Sequence, residues 1–144
     1  MKQYITYCEE ETKNLAKQLA SKLHGVIALS GELGAGKTTF VQGFANGLGI
    51  KEKIISPTFI LIRQHKIPDS KNMLYHVDLY RLENLDNLKH LGLEECWADP
   101  KNIVLIEWAQ KAKELLPKNT VWIKFENTYG NKRKISISNS ALMI

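Results

Sequence analysis

Apolar residues recur along this chain at two spacings, and the spacing assigns the elements. Leu15, Ala16, Leu19, Ala20 and Leu23 fall on one helical face, which predicts an amphipathic helix over residues 9–23. Glu9, Glu10 and Glu11 crowd its first turn, where the helix dipole favours acids. Phe40, Val41, Phe44, Ala45 and Leu48 predict a second helix over 37–48, ended by Gly47 and Gly49. The short apolar runs 26–30 and 103–107 read as buried strands, and 1–7, 59–66 and 73–78 as further strands. Ser56-Pro57-Thr58 is a turn or loop, because proline pushes its predecessor out of the helical region. Residues 67–72 read as a turn. One or two short helical turns are expected within 84–98, and a helical stretch over 109–116 that stops before Pro117. Segments 121–126 and 134–138 read as paired strands around the turn-rich 127–131.

Buried strands alternating with helices argue for α/β, and the terminal hairpin makes the expected sheet mixed. The 144 residues contain no repeat and no Pro/Gly/Ser-rich linker, so 1–144 is read as one domain. No run approaches the ~18 consecutive apolar residues of a membrane span, and the N-terminus lacks the pattern of a secretory signal. Cys8 and Cys96 belong to no Cys/His cluster, which suits a reducing compartment. A cytoplasmic location is therefore expected, with no membrane partner and no DNA partner. The net charge of +5 is compatible with a nucleic-acid partner without arguing strongly for one. Basic residues cluster only at Lys132-Arg133-Lys134, which reads equally as a solvated hairpin end or an RNA contact. The four histidines, His24, His65, His76 and His90, are scattered and read as surface or satisfied core residues.

One segment carries chemistry. Gly31-Glu32-Leu33-Gly34-Ala35-Gly36-Lys37-Thr38 matches G-x-x-x-x-G-K-S/T in full, between an expected strand and an expected helix. Gly31 and Gly36 permit backbone angles and close approach that a Cβ forbids. The freed N–H groups form a nest for phosphate oxygens at the N-terminus of the helix that follows. In such a loop Lys37 bridges β- and γ-phosphates and the Thr38 hydroxyl ligates Mg²⁺. The expected ligand is therefore ATP with Mg²⁺, and the expected architecture is a P-loop NTPase-like three-layer fold with a mixed sheet and a C-terminal β-hairpin.

Hydrolysis needs a further acid to hold Mg²⁺ and a group to position water. Asp78 and Glu107 each end an apolar strand, where ligands bind in open α/β sheets. The plain alternative for each is a surface carboxylate. Thr58 reads either as a switch residue touching Mg²⁺ or the γ-phosphate, or as part of an ordinary turn. Trp108 reads more readily as core packing than as a nucleotide or partner contact.

GELGAGKTTF, SPTF, HVDLYR and LIEW, in that order and spacing, resemble the TsaE (YjeE) family of small bacterial P-loop ATPases. That resemblance implies a role in making threonylcarbamoyladenosine in tRNA, as a component that binds the TsaB–TsaD pair. TsaD would transfer the threonylcarbamoyl group to the adenosine 3′ of the anticodon, in tRNAs reading codons that begin with A. ATP hydrolysis by the TsaE-like chain, weak alone and raised in the complex, would support repeated turnover, and tRNA would be reached through TsaD. Carried over by position, the resemblance implies that Gly34, Ala35, Gly36 and Lys37 hold phosphates and that Thr39 contacts the α-phosphate. It implies that Thr38 and Glu107 serve Mg²⁺, that Asp78 is a second essential acid near the γ-phosphate, and that Thr58 lies in a switch-like loop. It further implies that Glu9 meets the base or ribose, that Arg133 approaches the nucleotide, and that Trp108 occupies the family's tryptophan position. Two other readings stay open. A small-molecule or nucleotide kinase uses the same loop, although Arg63, Arg81 and Arg133 do not cluster as a kinase lid does. A non-catalytic nucleotide-sensing module is the other.

Overall fold

The computed structural model describes residues 2–55, 62–84, 86 and 92–138. Seven strands form one mixed sheet: β1 (Lys2–Thr6), β2 (Gly25–Gly31), β3 (Ile62–Lys66), β4 (Met73–Asp78), β5 (Ile103–Glu107), β6 (Val121–Asn127) and β7 (Arg133–Ser138). Their order across the sheet is β1-β7-β6-β2-β5-β4-β3. The four central strands, β6, β2, β5 and β4, run parallel, while β7, β1 and β3 add on antiparallel. The expected mixed α/β sheet and its C-terminal hairpin are both present.

Parallel strands at the centre of a sheet are covered on both faces and so read as continuous apolar runs. β5 is the extreme case, with all five residues buried. Strand alternation sends its side chains to two cores. Ile103 and Leu105 join Ile27 and Leu29 of β2 beneath the helices α1 (Glu9–Leu19) and α2 (Lys37–Gly47). Val104 and Ile106 join Val26 and Ala28 on the opposite face, with Leu93 and Cys96 of a short helix α3 (Leu93–Cys96) and with Ala109 and Ala112. These three layers are the expected ones.

α1 and α2 pack closely because α2 presents glycine to its neighbour. A Cβ on Gly43 would lie 2.6 Å from Lys13 Cα, and one on Gly47 would lie 2.6 Å from the Lys17 carbonyl oxygen. Gly47, expected as a terminator, is thus the last helical residue and a packing contact, and Gly49 in the left-handed region (φ +86) turns the chain away. α1 closes four residues before the expected 23. The Ser21 hydroxyl takes the Gln18 carbonyl, and Lys22 N–H tightens onto the Leu19 carbonyl. Leu23 stays buried nonetheless. The expected helical stretch near 109–116 is a 3₁₀ helix, Ala109–Leu115, kinked at Ala112. The expected strand 59–66 is seen as Ile62–Lys66; its first residues, and Thr58, lie outside the described residues. Within the expected helical region 84–98, α3 is the described element.

Candidate functional site

Register places the acids. Asp78 and Glu107 are direct partners across β4 and β5, and Glu107 also pairs with Leu29 of β2. Two residues beyond Leu29, β2 ends in Gly31 and enters the glycine-rich loop. The strand-end acids and the phosphate loop therefore share one edge of the sheet. At Gly31 (φ +144) a Cβ would stand 2.5 Å from the Phe125 carbonyl oxygen of β6, so only glycine lets β2 leave the sheet here. The loop closes on Gly36 in the left-handed region (φ +102), which serves as N-cap of α2 without a side-chain cap of its own. The first N–H groups of α2 are thereby left for an anion.

A cavity of ≈ 480 Å³ opens over this edge, lined by Gly34, Gly36, Lys37, Thr38, Thr39, Asp78 and Glu107, with Glu9 and Arg133 at its far side. That volume lies within the range of small-molecule sites. Pairing of Thr6 with Arg133 between β1 and β7 brings the two distant chain segments together. Arg133 donates to the Gly34 carbonyl at 3.3 Å, so the basic hairpin end borders the loop. Ala35 is buried in the core under α1 and α2, and its N–H donates to the Glu32 carbonyl at 3.2 Å. Unlike Gly34 and Gly36, it is not among the residues lining the cavity.

The Lys37 ammonium is buried, donates to the Gly31 and Glu32 carbonyls at 2.7 Å each, and lies 4.2 Å from the centre of the Trp108 ring. Burial holds its pKa below the usual lysine value, opposed by the negative fields of Glu107, Asp78 and Glu32. Asp78 is shifted the other way. Burial raises its carboxyl above the usual range and the charge of Glu107 adds to this, while the Tyr80 N–H, donating at 3.0 Å, works against it. Trp108 follows Glu107 in the left-handed region (φ +59), a backbone conformation seldom adopted by a bulky residue. The ring packs against the core on that face of the sheet, as its residue type suggests, and also lies against the Lys37 ammonium.

Glu107 is 3% exposed, and each carboxylate oxygen has its own donor. Thr38 Oγ1 donates to Oε1 at 2.8 Å, and His76 Nε2 lies 2.6 Å from Oε2. Thr38 and Glu107 thus present hard oxygen donors side by side, the chemistry Mg²⁺ selects. Among the described residues no group of three or more His, Cys, Asp and Glu is arranged to hold a metal. Mg²⁺ in nucleotide sites commonly takes one or two protein oxygens and completes its shell with phosphate and water. His76 is the participant that sequence reasoning missed. Its alternation with Asp78, two residues on in β4, was the available signal.

A strand, a glycine-rich loop, a helix and two strand-end acids on the same sheet edge define a P-loop α/β protein. The model of the family described as "Threonylcarbamoyl adenosine biosynthesis protein TsaE" matches residues 6–135. The "tRNA threonylcarbamoyladenosine biosynthesis protein TsaE" of Bacillus subtilis is 41% identical over 131 residues, covering 90% of this chain and 80% of that one. Its namesake in Rickettsia bellii is 39% identical over 140 residues, covering 95% and 94%. The crystal structure of Bacillus subtilis YdiB superposes with a TM-score of 0.74 at 34% identity, covering 96% of this chain and 84% of that one. The chain belongs to the TsaE family. Among the described residues no helix is long and apolar enough to cross a membrane.

Proposed function

We propose that this chain is a Mg²⁺-dependent ATPase that serves the threonylcarbamoyladenosine modification of tRNA, working with TsaD and TsaB. The observation that carries the reading is the meeting of Lys37, Thr38, Asp78 and Glu107 around one cavity at the ends of β2, β4 and β5. Membership of a family named for this pathway supplies the biological setting. The loop N–H groups and Lys37 hold the phosphates, with Gly34, Gly36 and Thr39 beside them. Thr38 and Glu107 hold Mg²⁺, which neutralises charge on the β- and γ-phosphates when bound. Asp78, on the same edge and half-buried, serves as the second acid near the γ-phosphate and the attacking water. Glu9 and Arg133 face the nucleoside end, and Thr58 serves as the nucleotide-sensitive loop residue. Hydrolysis supports repeated turnover by TsaB–TsaD, so tRNA is reached through TsaD.

Among the described residues Arg133 is the one arginine lining the cavity, with no second arginine beside it to neutralise a transferring phosphoryl group. This favours water over an organic acceptor and so hydrolysis over a kinase reaction. The test is transfer of radiolabelled threonine to tRNA by purified TsaB and TsaD with a supply of the carbamoyl-adenylate. Omitting this chain is expected to stop product formation after the first turnovers. Unchanged accumulation over many turnovers would contradict the proposal.

A further inference from the structure

His76 is fully buried, and its Nδ1 has no hydrogen-bond partner among the described residues. Its single polar contact there is the 2.6 Å approach of Nε2 to Glu107 Oε2. On the same face Leu74 precedes it on β4 and Leu105 lies directly opposite on β5, while the exposed Arg63 is its register partner on the edge strand β3. Desolvating an imidazole with one nitrogen unpaired is unfavourable. A position that needed only packing would be filled as well by leucine. The contact with Glu107 is thus what the histidine adds.

The direction of that contact follows from the partner. An ionised carboxylate only accepts, so Nε2 is the nitrogen that carries the hydrogen and donates, while Nδ1 is the nitrogen without a partner among the described residues. Glu107 has three side-chain torsions and two equivalent oxygens, and the Lys37 ammonium exerts a field on it from the same cavity. A donor fixed in the sheet removes this freedom. With Oε2 held from beneath, Oε1 faces Thr38, the other residue assigned to the metal. Carboxylate ligands are commonly oriented by such outer hydrogen bonds.

We infer that His76 is a positioning residue for the Mg²⁺ site: its Nε2–H locks the Glu107 carboxylate so that Oε1 is presented beside the Thr38 hydroxyl. The inference rests on the Mg²⁺ role proposed above for Glu107. His76 itself touches neither metal nor nucleotide. Removing its donor weakens the metal and leaves the phosphate loop as it was.

Mn²⁺ in place of Mg²⁺ lets this be read without turnover, by electron paramagnetic resonance titration of the complex with ADP. His76→Leu is expected to weaken Mn²⁺ by roughly 10-fold or more, the usual cost of losing an outer-shell partner. ADP affinity in EDTA stays within about 2-fold of the parent, because the loop N–H groups and Lys37 are untouched. His76→Gln, whose amide N–H reaches toward the same oxygen, recovers most of the Mn²⁺ affinity. Should His76→Leu bind Mn²⁺ as the parent does while Glu107→Ala loses it, the positioning role is wrong and the metal role of Glu107 stands. Should Glu107→Ala also bind Mn²⁺ normally, both fall. If His76→Leu does not fold, nitrogen-15 NMR of the parent protein still decides. A protected Nε2–H supports the lock, and a ring whose only hydrogen is on Nδ1 overturns it.

Discussion

Asp78 carries its charge at a cost to the fold. Burial raises its carboxyl above the usual value of 3.8, and Glu107 across the strand pair pushes it further the same way. The folded state therefore holds this proton to higher pH than the unfolded chain does. Stability from the group is present below the ordinary carboxylate value and is lost as pH rises through the raised one. At neutral pH, Asp78→Asn is expected to raise the melting temperature of the ligand-free protein, since the amide keeps the oxygen that accepts from Tyr80 N–H. The gap between variant and parent should narrow as pH falls toward 3.8. A variant that melts lower than the parent at neutral pH would contradict this. The same substitution should abolish hydrolysis in the assembled complex, a stability-for-activity exchange common at charged sites. At this scale the phosphate loop is legible in the sequence because its chemistry is local: Gly31 to Thr38 are consecutive. His76 is not, since its meeting with Glu107 depends on β4 lying beside β5, and the two residues are 31 positions apart. Trp108 packs against the core as expected, and its second contact, with Lys37, is the part the sequence hides. Only the left-handed turn after Glu107 turns its ring toward Lys37, and no residue type announces that turn.

The elements follow their periodicities closely in kind and less closely at their ends. Central strands are legible because burial on both faces leaves an unbroken apolar run, as in Ile103–Glu107. Helix ends are set by competing hydrogen bonds that periodicity does not register, such as the Ser21 hydroxyl on Gln18 at the close of α1. The glycines of α2 make the sharpest case. Inside a helix they weaken local propensity, yet Gly43 is where α2 lies against the Lys13 backbone. Gly43→Ala adds a methyl where there is no room. Overpacking costs about 1–3 kcal/mol and outweighs the helix-propensity gain of up to about 1 kcal/mol. The melting temperature should fall by about 3 °C per kcal/mol of net loss in thermal unfolding followed by circular dichroism. An unchanged or higher value would show that α1 and α2 can separate without penalty.

Across the whole molecule, strand order decides what the site contains. β5 and β4 lie to one side of β2, and β6 and β7 to the other. Chain connections depart from β2 in opposite directions, and the crevice so formed is where open α/β sheets bind ligands. Asp78 and Glu107 come from one flank. Arg133 and the start of α1 come from the other, through the β1–β7 pairing. Hydrophobic pattern gives the strands but not their order, so the approach of Glu9 and Arg133 to the loop is implied by family resemblance and not by spacing. The proposed function makes of these placements a site in which backbone amides and one lysine would hold a triphosphate. Titration calorimetry of the purified chain with ATP at millimolar magnesium measures that directly. The structure leads us to expect one nucleotide bound per chain, with affinity reduced at least about 10-fold in Lys37→Ala, where one charge-assisted contact worth roughly 1.5–3 kcal/mol is lost. No binding heat from any adenine or guanine nucleotide, or binding indifferent to Lys37, would contradict the account.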